Sequence, residues 1–328
     1  MTSSSVKSSP VYSALAHHSV WVLLGCTLVL IGVGAVVTTL KAGMAVPDWP
    51  TTFEHNMFTY PLDRWLFNRD NVPVLVEHSH RLLGSLVGMV TIVVVGLFAW
   101  FEKRPAVRWW ATLVLVLVVT QGFLGGFRVL LKDQQLAMIH ACLAQLFFIS
   151  GVALSVVSSR RWIAGVKPNE PHPTALPYAA LGVTGLTYVQ IVLGAIVRHF
   201  PSAHAVIAHV VGAGIVTLAC VALVTVVLTK YGKASGLRGL AVSLIVVVLL
   251  QVTIGVAAYV ARYGAPGYTV ELYGPAHLHS TVAHLLVGSA LLGVCTAMTL
   301  WSFRLARLTS PAPAAQSEPA ARSLEVVR

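Results

Sequence analysis

Charge is the first thing this chain lacks. Asp, Glu, Lys and Arg make up only 10% of its 328 residues, against about 25% in a soluble domain, and the mean hydropathy is +0.79. So little charge cannot keep a globule's surface wet, which excludes a soluble fold and implies an integral membrane protein. Cysteine is scarce as well. Cys26, Cys142, Cys220 and Cys295 all lie inside apolar runs with no CxxC pair, which excludes a zinc ribbon and a disulfide framework. No small-residue cleavage site ends the first apolar run, so it is expected to persist as a helix and not to leave as a signal peptide. The strict alternation of barrel strands is missing too; residues 91–97 read Thr-Ile-Val-Val-Val-Gly-Leu. Only helices and closed barrels cross lipid, so the spans must be helices.

What is present is eight apolar runs, each long enough for about 30 Å of hydrocarbon. They cover roughly 20–40, 74–101, 108–131, 134–158, 174–198, 203–229, 237–262 and 277–304. The net charge of +11 does not point to nucleic acid, because the basic residues are spread beside apolar runs. It reads instead as a topology signal. The N-terminus, the second, fourth and sixth connections and the tail carry 14 Lys and Arg against 4 acidic residues; the opposite side carries 8 against 7. The positive-inside rule then puts both termini in the cytoplasm. Residues 41–73 form one long outer loop, whose Trp49, Phe53, Phe58, Tyr60, Trp65 and Phe67 predict an ordered cap at the membrane surface.

The two halves resemble each other. Second and eighth spans read His80-Arg-Leu-Leu-Gly-Ser-Leu-Val-Gly88 and His284-Leu-Leu-Val-Gly-Ser-Ala-Leu-Leu-Gly293, while Gln121-x-x-x-Gly125, Gln190-x-x-x-Gly194 and Gln251-x-x-x-Gly255 recur in odd spans. The expected architecture is all-α and membrane-integral: eight transmembrane helices as two pseudo-symmetric four-helix bundles, related as parallel repeats. The boundaries follow from this. They are a cytoplasmic segment 1–19, an N-terminal bundle 20–166, a linker 167–177, a C-terminal bundle 178–306 and a disordered tail 307–328.

Ionisable groups inside a bilayer are expensive and default to a functional hypothesis. His80, His140, His209 and His284 lie six to eight residues into the even spans, about 10 Å from the outer end. A single such histidine is as easily a cross-helix hydrogen-bond partner. Four at one depth point to a ligand set, His80 with His140 and His209 with His284, each pair able to fill both axial positions of a haem iron. Gly84, Gly88, Gly125, Gly194, Gly212, Gly214 and Gly255 would let a flat macrocycle approach the backbone, although packing explains the Gln-x-x-x-Gly repeats more simply. Glu77 shares a helix face with His80. It is the only carboxylate within the apolar runs, which excludes a di-iron carboxylate centre. It suits either proton transfer or an ion pair with Arg81. Arg128, Arg198 and Arg262, at outer helix ends, suit propionate carboxylates, with snorkelling as the plainer role. His78, His199, His204, His277 and His279 lie at the mouth, where interfacial hydrogen bonds are expected.

Taken together, Pro47-Asp48-Trp49-Pro50, Glu77-x-x-His80-Arg81 and one histidine in each even span resemble the haem A synthase family over about residues 20–304. The resemblance implies oxidation of a haem O methyl to the formyl of haem A by successive hydroxylations and loss of water. It implies a substrate site at His80 and His140, a haem b held by His209 and His284, and Glu77 as the catalytic carboxylate; apart from the resemblance, Arg81, Arg128 and Arg198 are expected from their positions as further cofactor contacts. It also implies a cell (inner) membrane location, haem O synthase and a haem-copper terminal oxidase as assembly partners, and an electron donor that the sequence does not identify. Many members carry cysteines around the Pro-Asp-Trp-Pro motif; this chain has Val46, Thr51 and Thr52, and none in 198–204, so no loop thiol acts here. Two other classes compete. An electron-transfer cytochrome b needs haems near both faces, and no apolar run has a histidine in its inner half. A haem carrier or assembly factor needs the same histidines but has no use for Glu77.

Overall fold

A computed structural model describes residues 12–67, 71–165, 174–232, 236–264 and 274–309. Among them are ten helices and no strand: α1 (Ala14–Thr39), α2 (Leu62–Trp65), α3 (Val72–Phe101), α4 (Pro105–Leu130), α5 (Gln134–Val157), α6 (Arg160–Ala164), α7 (Leu176–His199), α8 (Ala203–Lys230), α9 (Leu237–Tyr263) and α10 (Pro275–Thr309). Eight are long and apolar enough to cross a membrane, and the chain is a multi-pass membrane protein. Their outward side chains fit lipid: Leu218 is 72% and Ile207 61% exposed, in spans with no water to face.

Capping chemistry sets several boundaries. α1 begins six residues before its apolar run, because the Ser13 side chain accepts from the Ala16 N–H at 3.2 Å and starts the helix among polar residues. α5 starts where the Asp133 carboxylate accepts from Gln135 and Leu136 N–H groups. α3, α4 and α7 carry Pro in their first turn, where its missing N–H costs nothing. α7 takes residues 176–177 from the expected linker, and α10 continues to Thr309, past the expected start of the tail. Residues 167–173 of that linker and 310–328 of that tail lie outside the described residues, as do residue 166 and residues 1–11.

The helices pack as two closed rings. α1 packs on α3 and α5, and α4 on α3 and α5; α7 packs on α8 and α10, and α9 on α8 and α10. α1, α5, α7 and α10 make the seam between the rings. Each ring has its own apolar core on the side away from the long loop, around Leu23, Val94, Phe98 and Leu154 in the first and Val227, Leu244, Leu292 and Met298 in the second. Lipid is as apolar as these side chains, so close packing and cross-helix hydrogen bonds hold the rings together. One such bond runs from Trp110 Nε1 to the Ser150 carbonyl at 3.0 Å. α3 and α5 therefore sit diagonally across their ring, as do α8 and α10 across theirs. Those four helices carry the histidines.

Candidate functional site

The diagonal helices bring their histidines together in pairs. The rings of His80 and His140 have centres 6.5 Å apart with planes at 76°; those of His209 and His284 are 6.2 Å apart at 81°. Two imidazoles sharing one metal, each nitrogen about 2 Å from it, have ring centres about 6 Å apart. Both pairs have the separation of a metal held between them. Among the described residues no group of three or more His, Cys, Asp or Glu could hold a metal by itself, so the remaining donors would come from a ligand such as a macrocycle.

Each imidazole is seated against a glycine of a neighbouring helix, α1, α4, α7 or α9. A Cβ at Gly34, Gly125, Gly194 or Gly255 would lie 2.9, 3.2, 3.1 or 2.8 Å from the Cε1 of His80, His140, His209 or His284 respectively. Four residues before each glycine, the backbone carbonyl of Leu30, Gln121, Gln190 or Gln251 faces the ring. Metal-bound histidines usually point their second ring N–H at such a group, which keeps the other nitrogen free to ligate. On His80, His140 and His284 the buried Nδ1 closes no hydrogen bond. The glutamines brace the histidines from the same helices. Gln121 Nε2 donates to the His140 carbonyl at 3.1 Å and Gln190 Nε2 to the His209 carbonyl at 2.7 Å, while Gln251 Nε2 lies 3.3 Å from His284 Nε2, the nitrogen that this imidazole would give up to a metal. One turn inward of His80, a Cβ at Gly84 would meet nothing within 4 Å. The residues present fit a flat, axially ligated group.

A loop lies over the first pair. Glu77 is 2% exposed; its Oε2 accepts from the Val46 N–H at 2.9 Å and its Oε1 pairs with Arg81 at 2.9 Å. The Arg81 guanidinium also donates to the carbonyls of Val46, Asp48 and Thr51 at 2.8, 2.6 and 3.0 Å. Asp48 organises the turn beyond, accepting from Phe53 N–H and Glu54 N–H, both at 2.8 Å, and from the Thr51 hydroxyl. These bonds hold Phe53 and Glu54 at positive φ, 48° and 66°. Partial burial pushes the Asp48 carboxyl up, but the Thr51 hydroxyl and the two backbone donors outweigh it and leave it below its ordinary value. The Trp49 indole packs where a Cβ on Gly126 would stand and meets Phe123 at 6.2 Å. Gly126→Ala is expected to lift this corner, destabilising the docked loop by about 1–3 kcal/mol through overpacking. Limited proteolysis of residues 42–52 checks it; cleavage at the parent rate rejects the contact.

The other mouth residues take distinct positions. His78 is 1% exposed, with Nδ1 3.1 Å from the Thr52 hydroxyl and its ring 4.6 Å from that of Trp65. It is thus a buried part of the loop seat, where an interfacial position was expected. Arg128 donates to the Gly43 carbonyl at 2.9 Å. Arg198 reaches across the seam to the Ala35 carbonyl and the Thr39 hydroxyl at 2.9 and 3.0 Å. Gln134 Nε2 donates to the His199 carbonyl. Gly34, Leu30 and Gly126 were not singled out in the sequence. Gly34 had a weak signal, a glycine in the first span at histidine depth, but Leu30 replaces the glutamine that marks the other three.

Residues 17–207 match the family described as cytochrome oxidase assembly protein. The chain belongs to that family. The match spans α1 to the first turns of α8, so it includes His80, His140 and Glu77 and ends just before His209. Three similar relatives each bear the name "Heme A synthase". The protein from Shouchella clausii is 29% identical over 196 residues, covering 57% of this chain and 60% of its own. That from Sphingopyxis alaskensis is 25% identical over 230 residues, 60% and 63% of the two chains. That from an Exiguobacterium species is 24% identical over 196 residues, 59% and 61%. The chain thus spans about three fifths of the length of the relatives it matches.

Proposed function

We propose that this member of the cytochrome oxidase assembly family is a haem A synthase, oxidising a methyl group of haem O to the formyl group of haem A for haem-copper terminal oxidases. The observation that carries the reading is the pair of matched imidazole seats, the first of which lies beneath a loop latched by a buried carboxylate. In this reading His80 and His140 hold the substrate haem in the N-terminal ring, and His209 and His284 hold a resident haem b in the C-terminal ring. Haem supplies the electron-transfer and oxidative chemistry that no side chain here possesses. The chain's own residues bind, orient and enclose. The paired imidazoles would hold the macrocycle between diagonal helices. Arg128 gives one of its five N–H donors to the Gly43 carbonyl and Arg198 gives its own to the Ala35 carbonyl and the Thr39 hydroxyl, leaving the rest for propionates. The loop held by Arg81 excludes water from the outer edge, and the Glu77 carboxylate holds or passes a proton there, one helical turn from His80.

The location that fits is the cell (inner) membrane with both termini cytoplasmic, which puts the histidines toward the extracytoplasmic face. Reporter fusions at the C-terminus are expected to be active only inside; activity outside overturns the orientation. A haem O synthase is the expected supplier and a terminal oxidase the expected recipient, with an electron donor still to be found. Expression of the chain beside a haem O source, followed by pigment extraction, tests the function: haem A should appear. The buried Glu77–Arg81 pair also favours a second reading, in which the carboxylate only latches the loop and the protein carries haem. Bound haem O with no haem A selects that carrier.

A further inference from the structure

We propose that the end of the helices remote from the histidines carries a binding site for the phosphate of an anionic phospholipid, built by Arg161 and Arg304 around the Trp162–Trp301 pair. The two indoles, from α6 and α10, meet at 5.3 Å and 68°. Each is covered by a guanidinium from the other's helix: Arg161 lies 5.4 Å from the Trp301 ring and Arg304 5.1 Å from that of Trp162. Arg304 gives one donor to the Trp162 carbonyl at 3.0 Å, while its buried Nε–H has no partner. Arg161 sits against the start of α9, its Cζ 3.3 Å from where a Cβ on Gly236 would be, and α9 has no side-chain cap. A cation beside the positive end of a helix is unfavourable without an anion between them. Arg104 and Arg307 add like charge within electrostatic reach of Arg304. Glu102 is the only carboxylate at this end among the described residues, and both its oxygens are held by Arg104.

Among the described residues the charge at this end is therefore several guanidiniums to one engaged carboxylate, at the level where apolar spans end in tryptophans. A lipid phosphate has the charge and paired oxygens that guanidinium recognises, and basic pockets between helix ends are where such headgroups bind. The inference does not rest on the haem reading. Native mass spectrometry of the full chain in detergent, with phosphatidylglycerol and phosphatidylcholine in competition, tests it. The expected result is selective phosphatidylglycerol adducts, weakened on the order of thirtyfold in Arg161→Gln/Arg304→Gln and unchanged in Arg108→Gln. Inorganic phosphate should not displace the lipid. Displacement by phosphate, equal adducts of both lipids, or a double variant that keeps its adducts would each overturn the site. Should the double variant fail to fold, the preference of the unmodified protein decides.

Discussion

Glu77→Gln is expected to retain haem yet lower haem A formation by about 10²–10⁴-fold, the usual worth of a positioned acid or base. The amide has the carboxylate's shape, so its oxygen can still accept from the Val46 N–H that Glu77 Oε2 holds at 2.9 Å. What goes is the charge opposite Arg81 and the ability to hold a proton. Haem O should accumulate in extracted pigments, with a hydroxylated intermediate where the first oxidation still proceeds. The ligands are untouched, since His80 and His140 supply both axial nitrogens in this reading. Breaking a buried ion pair costs about 3–5 kcal/mol, so the same variant also tests the latch. Proteolysis of residues 42–52 separates the two roles: lost activity with a protected loop marks a proton-handling group, and lost activity with a rapidly cut loop marks a latch. Haem A made at the parent rate would exclude both.

The second large effect is expected at the other pair. His209→Ala and His284→Ala should each abolish the low-spin haem signal of the C-terminal ring. Removing one imidazole would leave the group with a single protein ligand, and even the partners that merely orient a ligand are worth about 10–100-fold in metal affinity. Retention should therefore fall by more than about 100-fold. The fold should survive, because the core of that ring is made by Val227, Leu244, Leu292 and Met298, away from the histidines. The His80 and His140 seat belongs to the other ring, so its own signal should remain when haem O is supplied. Optical and paramagnetic spectra of the purified variants decide. An unaltered spectrum in both would remove His209 and His284 from the ligand set.

The eight spans and their helical nature were legible in the sequence because hydropathy and length are summed over some twenty residues, and bilayer physics leaves only one backbone solution for such runs. That His80 meets His140 and His209 meets His284 was legible for the same reason: a fixed rise per residue turns position in a span into depth, and each pair does meet. The aromatic content of residues 41–73 likewise announced an ordered cap, and Trp49 packs on α4 accordingly. Local signals stopped there.

Only the tertiary structure decided what each polar group touches. Glu77 meets Val46 across 31 residues of chain, Arg81 meets the same residue across 35, and Arg198 meets Ala35 across 163. No periodicity encodes such partners, because helix pattern describes which face a residue occupies and not which helix covers it. The fourth histidine seat makes the point. Gly34 serves His80 as Gly125, Gly194 and Gly255 serve their histidines, yet the span around it lacks the glutamine that betrays the others. The glycine was required by the close approach of a ring from another helix. That requirement exists only once α1 and α3 are packed.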